Sequence, residues 1–242
     1  HRKADLRILV LAADFALAKK MARNVKRIIE RHPLTQTLKP AHADQWASDR
    51  FTVKRMIELR DPSMLAKGIT SNITGSRADI IICDDVEVPN TCDSAEKRRE
   101  LRERLGEMDY VLVPGGTQLY VGTPHNYHTI YADTPRKELG EEQAFLTGFA
   151  RLKIPVLDEN SESAWIERYS EADIARMKRS SGPNKFASQM MLEPVNIAEG
   201  RLNPQLLQVY NHELDYAKEL QSLFIGKTKL VSASAFWDPA FG

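Results

Sequence analysis

The stretch Ala78-Asp79-Ile80-Ile81-Ile82-Cys83-Asp84-Asp85-Val86-Glu87 constrains this chain more than any other. Four apolar residues run straight into two adjacent carboxylates, with Gly75 and Arg77 before them and Pro89-Asn90 after. A short unbroken apolar run suits a strand buried on both faces, as in the middle of a parallel sheet. Open α/β sheets bind ligands at the carboxyl ends of their strands, which is where the two acids fall. Successive strand residues point to opposite faces, so Asp84 and Asp85 are expected to do different jobs. One can hold a magnesium ion, directly or through its water shell, while the other orients or deprotonates an attacking water. The same pattern also fits a strand that simply ends in a polar turn.

The rest of the chain supplies partners for such a strand. Arg7-Ile8-Leu9-Val10-Leu11-Ala12-Ala13 reads as a second buried strand, and Asp14 can cap a helix with apolar positions at Leu17, Met21, Val25, Ile28 and Ile29, stopped by Pro33. A strand followed at once by a helix is half of a βαβ unit and favours a parallel sheet. Residues 40–49 read as a polar loop in which Trp46 covers a core edge. Phe51 to Arg55 and Ser63 to Ile69 look like short strands around the turn signal Asp61-Pro62. Ser94 can cap a helix to about Leu105 whose mixed charges suggest a face laced with ion pairs. Tyr110 to Val113 and Gln118 to Val121 give two apolar runs around Pro114-Gly115-Gly116, and the second delivers Gly122-Thr123-Pro124 to the predicted ligand edge.

Beyond Tyr131 the periodicity weakens, and Glu141 to Val156 fits either a helix and a strand or an extended hairpin. Ser170 and Asp173 predict a helix to Arg179, closed by Gly182-Pro183. Phe186 to Leu192 reads as a short helix, Asn203-Pro204 as a helix start, and the segment from Lys229 to Gly242 as a new strand ending in an acid. The net charge of +1 advertises no general affinity for nucleic acid, so DNA contact would need a local patch. Two cysteines, Cys83 and Cys92, give neither a disulfide framework nor zinc spacing and point to a reducing compartment. No apolar run is long enough to span a membrane as a helix.

The residues from Pro62 to Ile69 and from Thr74 to Glu87 resemble the Walker B region of tailed-bacteriophage terminase large subunits, most nearly the DNA-packaging maturases of short-tailed phages. Leu119-Tyr120-Val121-Gly122-Thr123-Pro124 is similar to that family's coupling motif. Phe186-Ala187-Ser188-Gln189-Met190-Met191-Leu192-Glu193-Pro194 is similar to the end of its ATPase region. Trp237-Asp238-Pro239-Ala240 resembles the start of its RNase H-like nuclease.

The resemblance implies a P-loop NTPase core of the RecA/ASCE type: α/β, with a mostly parallel sheet and flanking helices. It implies ATP and Mg2+ as cofactors, hydrolysis coupled to movement of double-stranded DNA into a procapsid, and cutting of concatemeric DNA. The implied partners are DNA, a portal protein, a small terminase subunit and further copies in a ring. The implied location is the host bacterial cytoplasm, transiently at the portal vertex, with no membrane. By position, Asp84 serves the magnesium ion and Asp85 falls where the family has its water-activating glutamate, either reaching through a shifted water or yielding that role to Glu87. Gly122 and Thr123 would sense the γ-phosphate, and Asp238 would be a first nuclease metal ligand in an incomplete site. Arg77 could reach a phosphate in its own or a neighbouring subunit, or could pair with Asp79 or cap a loop.

No Gly-x-x-x-x-Gly-Lys-Ser/Thr loop occurs in the 242 residues, so the resemblance predicts a central fragment, incomplete at the N-terminus. The expected division is an ATPase core over 1–156, a small helical lid or linker over 157–226, and the first strand of the nuclease domain over 227–242. Such a fragment is expected to be inactive alone. A non-catalytic prophage remnant or assembly module is the competing reading, and an unrelated helicase-like ATPase is the third, which leaves the Trp237-Asp238-Pro239-Ala240 ending unexplained.

Overall fold

The computed structural model of the chain describes residues 4–41, 45–196, 214–219 and 221–230. Its contacts divide it into two units, His1–Ile197 and Ala198–Gly242. In the first, strands β1 (Ile8–Ala12), β2 (Arg50–Phe51), β3 (Met64–Gly68), β4 (Ala78–Asp84) and β5 (Leu112–Val121) form one sheet in the order β2-β3-β1-β4-β5. The pairs β3–β1, β1–β4 and β4–β5 are parallel, and only the two-residue β2 runs antiparallel at one edge. The expected α/β fold with a mostly parallel sheet is therefore present.

The apolar strands β1 and β4 occupy interior positions because both of their faces can be buried there. Side chains of β1 alternate between two cores. Leu9 and Leu11 join Ile81, Cys83, Leu101 and Leu105 on one side, while Val10 and Ala12 join Ala18, Ala22, Phe51 and Met64 on the other. Helix α1 (Phe15–Arg31) covers the second side, its first turn capped by Asp14, whose carboxylate accepts from the Leu17 N–H at 2.9 Å. Its buried stripe is Ala18, Ala22 and Ile29, one position removed from part of the expected face, and Leu17 and Ile28 are exposed. The small residues win because the helix start lies close on the sheet: a Cβ on Gly68 would sit 2.9 Å from the Phe15 nitrogen.

After β4 come the single turn α2 (Pro89–Cys92), then α3 (Ala95–Gly106), capped by Ser94, which buries Leu101 and Leu105 on the first core, then the single turn α4 (Met108–Val111). Of the expected charge-laced face on α3 one i,i+4 pair is present, Arg104 with Glu100 (2.9 Å), while Arg102 pairs with Glu141 off the helix. Several local expectations change. Residues 52–55 leave the sheet because their amides find other acceptors, the Val53 N–H in Ser63 Oγ and the Lys54 N–H in Leu38 O. The two runs around Pro114-Gly115-Gly116 form the single strand β5 behind α4. A register shift opposite Ala78 and Ile80 absorbs the glycines, and a Cβ on Gly116 would lie 2.9 Å from the Asp79 carbonyl oxygen. Residues 141–156 contain turns and loop, neither helix nor strand.

Helix α5 (Glu171–Ser181), capped by Ser170, extends two residues past its predicted end, and Phe186–Met190 is a π-helical turn. Within the second unit, β6 (Leu214–Ala217), β7 (Ser222–Ile225) and β8 (Thr228–Lys229) form an antiparallel ribbon. Of the expected helical lid over 157–226, residues 171–181 are helix while 214–217 and 222–225 are strand. The predicted helix start at Asn203-Pro204 and the Trp237-Asp238-Pro239-Ala240 segment, including the candidate nuclease ligand Asp238, lie outside the described residues.

Candidate functional site

The carboxyl ends of the three parallel strands β1, β4 and β5 meet at one level, where Asp84 is in register with Ala12 on one side and Val121 on the other. Immediately beyond, Asp85 departs from the strand with φ +44°, a left-handed conformation that aspartate tolerates better than most residues. Two neighbours hold it there: its N–H donates to Val121 O (2.9 Å) and its carbonyl accepts from the Ala13 N–H (3.3 Å). Asp84 is half-buried and Asp85 exposed. Burial, and then the charge of Asp85, push the Asp84 carboxyl above the ordinary aspartate value.

The turn after β5 closes over this edge. A Cβ on Gly122 would lie 2.3 Å from the Tyr131 hydroxyl and 3.4 Å from Asp85 Oδ1, so only glycine fits between the phenol and the acid. The Tyr131 phenol is pushed upward, first by its burial and then by the surrounding acids Glu87, Asp85 and Asp84 and by Cys83. Glu87 is 1% exposed, and its two oxygens accept from the backbone N–H groups of His125 (3.2 Å) and Ile130 (2.7 Å). Those bonds make Glu87 the tie between the acid strand and the loop that follows Gly122. The far side of that loop is held by Ser188, whose hydroxyl donates to Pro124 O (2.6 Å), and by Gln189, 3.0 Å from His125 Nδ1.

Over 148 residues the chain is 34% identical to the terminase large subunit of Enterobacteria phage T3. It is a terminase relative. The match spans 60% of this chain and 24% of that protein, so it bears on a part of the phage T3 subunit. No family model matches.

Among the site residues expected of this terminase relative, the structure brings Asp84, Asp85, Gly122 and Thr123 to the same sheet edge. Arg77 is elsewhere. It precedes the first residue of β4, so the whole strand, about 20 Å at about 3.3 Å per residue, separates it from Asp85, and its guanidinium donates to the neighbouring Ser76 carbonyl. Asp79, the other proposed partner of Arg77, is taken by Arg7 at 2.9 Å. Residues that the sequence did not single out are Tyr131 and the buried Arg136, which with Gly122 line a cleft of about 410 Å3. Among the described residues no group of three or more histidine, cysteine, aspartate or glutamate side chains could hold a metal ion, and no helix is long and apolar enough to cross a membrane.

Proposed function

We propose that this chain carries the hydrolytic edge of a DNA-packaging ATPase of the terminase large-subunit type. One observation carries the reading: an exposed acid in left-handed conformation directly follows a half-buried acid at the carboxyl end of a central parallel strand, against a glycine turn with no room for a side chain. The 34% identity to the phage T3 terminase large subunit supports the choice of DNA packaging over other uses of such an edge.

In this reading Asp84 serves a magnesium ion bound with ATP, and Asp85 orients or deprotonates the attacking water. Magnesium binds through one or two carboxylates plus substrate phosphates and waters, so Asp84 can serve it although no larger acidic cluster occurs among the described residues. When bound, the ion would neutralise charge developing on the transferred phosphoryl group. Its positive charge would also offset the burial that raises Asp84. Glu87 suits the base role less well than the exposed Asp85, because it is 1% exposed and each of its oxygens already accepts a backbone N–H. It instead fixes the loop that begins at Gly122 and Thr123, the pair that would register the γ-phosphate. Arg77, at the opposite end of β4, would meet a phosphate only in a neighbouring copy. The donor set lacks the backbone cradle of a phosphate loop, so weak nucleotide binding and slow or absent turnover are expected from these 242 residues. The nuclease assignment of Asp238, the procapsid portal, the small subunit, a ring of copies and a host-cytoplasmic location belong to the same proposal and follow from the family resemblance.

The test is magnesium-dependent binding of fluorescent ATP to the chain and to its Asp84→Asn and Asp85→Asn variants. Weakened binding in the first and retained binding in the second is the expected result. Equal magnesium-dependent affinity in all three would remove Asp84 from the site.

A further inference from the structure

Among the described residues Arg136 has no ion-pair partner of its own; the acid that feels its charge, Asp133, is already held by Arg151 and Lys153. The residue is 7% exposed, its guanidinium carbon lies 3.9 Å from the centre of the Tyr127 ring, and Nη1 donates to Thr134 Oγ1 at 3.1 Å. Its Nε is buried with no hydrogen-bond partner among the described residues. The neighbouring ion pairs leave it out: Arg102 is paired with Glu141, while Arg151 (3.0 Å) and Lys153 share Asp133. A contact with an aromatic face returns only part of what burying an unpaired ion costs, so the arrangement favours an anion supplied from outside.

The cleft of about 410 Å3 is where that anion can enter. Arg136 lines it with Gly122, Tyr131, Asp133, Arg151, Lys153 and Glu193; Asp133 is engaged by Arg151 and Lys153, and neither acid forms an ion pair with the Arg136 guanidinium. Arg136 is also held in place, since its backbone N–H donates to Glu141 Oε2 at 2.7 Å and Glu141 is anchored in turn by Arg102 of α3. A fixed planar fork is suited to the oxygens of a phosphate.

We propose that this cleft binds a phosphate group with Arg136 as its anchor, and that the phosphate belongs to a nucleoside triphosphate whose magnesium-bearing end meets Asp84. The choice of nucleotide rests on the hydrolytic reading above, because Gly122 belongs both to the cleft wall and to the turn beside Asp85. A cavity of this size also matches a small ligand. Arg136 then stands in the place within the subunit that Arg77, at the far end of β4, cannot reach.

The probes are inorganic tripolyphosphate without magnesium, fluorescent magnesium–ATP and a short DNA duplex, each titrated into the chain and into Arg136→Met, Arg136→Lys and Asp84→Asn. Tripolyphosphate should bind the unmodified chain and raise its melting temperature beyond the effect of chloride at equal ionic strength. Arg136→Met should weaken that binding about tenfold or more, the scale of a lost bidentate charge-assisted contact, with Arg136→Lys between the two. Asp84→Asn should leave tripolyphosphate binding unchanged. Should Arg136→Met fail to fold, protection of Arg136 from phenylglyoxal by tripolyphosphate in the unmodified chain replaces it, and absence of protection overturns the proposal. Equal tripolyphosphate affinity in the chain and Arg136→Met, or none in either, does the same. Duplex binding that depends on Arg136 while tripolyphosphate does not bind would assign the cleft to a DNA backbone. Loss of magnesium–ATP binding in Asp84→Asn but not in Arg136→Met would reject the anchor and keep the hydrolytic reading. The converse pattern would keep a phosphate site and reject the hydrolytic reading.

Discussion

Replacing Glu87 with glutamine tests whether a buried carboxylate ties the acid strand to the loop after β5. In the native chain both oxygens accept backbone N–H groups, from His125 at 3.2 Å and Ile130 at 2.7 Å, at a position 1% exposed. Glutamine keeps one carbonyl oxygen, which can retain the shorter bond, but presents an NH2 to the other donor. A buried N–H left without an acceptor costs about 1–3 kcal/mol, and the surviving bond falls from charge-assisted to neutral strength, a further loss of about 1 kcal/mol. The neutral amide is cheaper to bury than a carboxylate, which offsets part of this and leaves an expected loss of about 2 kcal/mol. For a domain of this size that corresponds to a melting temperature lower by about 4–8 °C. Urea denaturation gives the free energy, and amide exchange read at His125 and Ile130 gives the location. A variant within about 0.5 kcal/mol of the native chain, or one in which both amides keep their protection, would refute the tie.

Two further outcomes follow from the same edge. Gly122→Ala should destabilise the chain by about 1–3 kcal/mol, the usual cost of overpacking, and removing the hydroxyl that lies 2.3 Å from the new Cβ, with Tyr131→Phe, should recover part of it. A double-mutant cycle in which the two changes are additive counts against that contact. Asp84 is raised by burial and by Asp85, so folding favours its protonated form. That contribution is complete below the unfolded value of about 4 and is lost as pH rises through the higher folded value. Asp84→Asn should therefore raise the melting temperature at pH 7 and have little effect near pH 3; the same gain at both would show that burial of the charge is not the cause.

What the sequence made legible was local. The apolar runs of β1 and β4, the caps Asp14, Ser94 and Ser170, and the placement of two acids at a strand end each depend on a few consecutive residues. The bulge in β5 depends instead on Asp79 and Leu112 crowding Gly116, and the buried stripe of α1 on how closely Gly68 lets the helix approach. Glu87 was hidden by the left-handed turn at Asp85, which breaks the alternation that would otherwise predict its direction. The position of Arg77 was readable, since a residue before a parallel strand must lie at the edge opposite its carboxyl end. Tyr131 and Arg136 gave no such signal. Their setting comes from Gly122, Tyr127 and Glu141 brought together by loops without periodicity.

The position of β1 has a consequence for how the chain is made. The first of these strands to leave a ribosome lies inside the sheet, and the strands on either side of it are encoded at 64–68 and 78–84. Arg7 meets Asp79 only across 72 residues of sequence. During synthesis α1 can form early, but the apolar strand beside it stays unpaired until residues 64–68 have emerged and half-paired until the acid strand follows. Parallel pairings at such separation are slow to close and leave strand edges open to other chains. The geometry that brings Asp84 between its neighbours thus makes the nascent chain a natural client for chaperones.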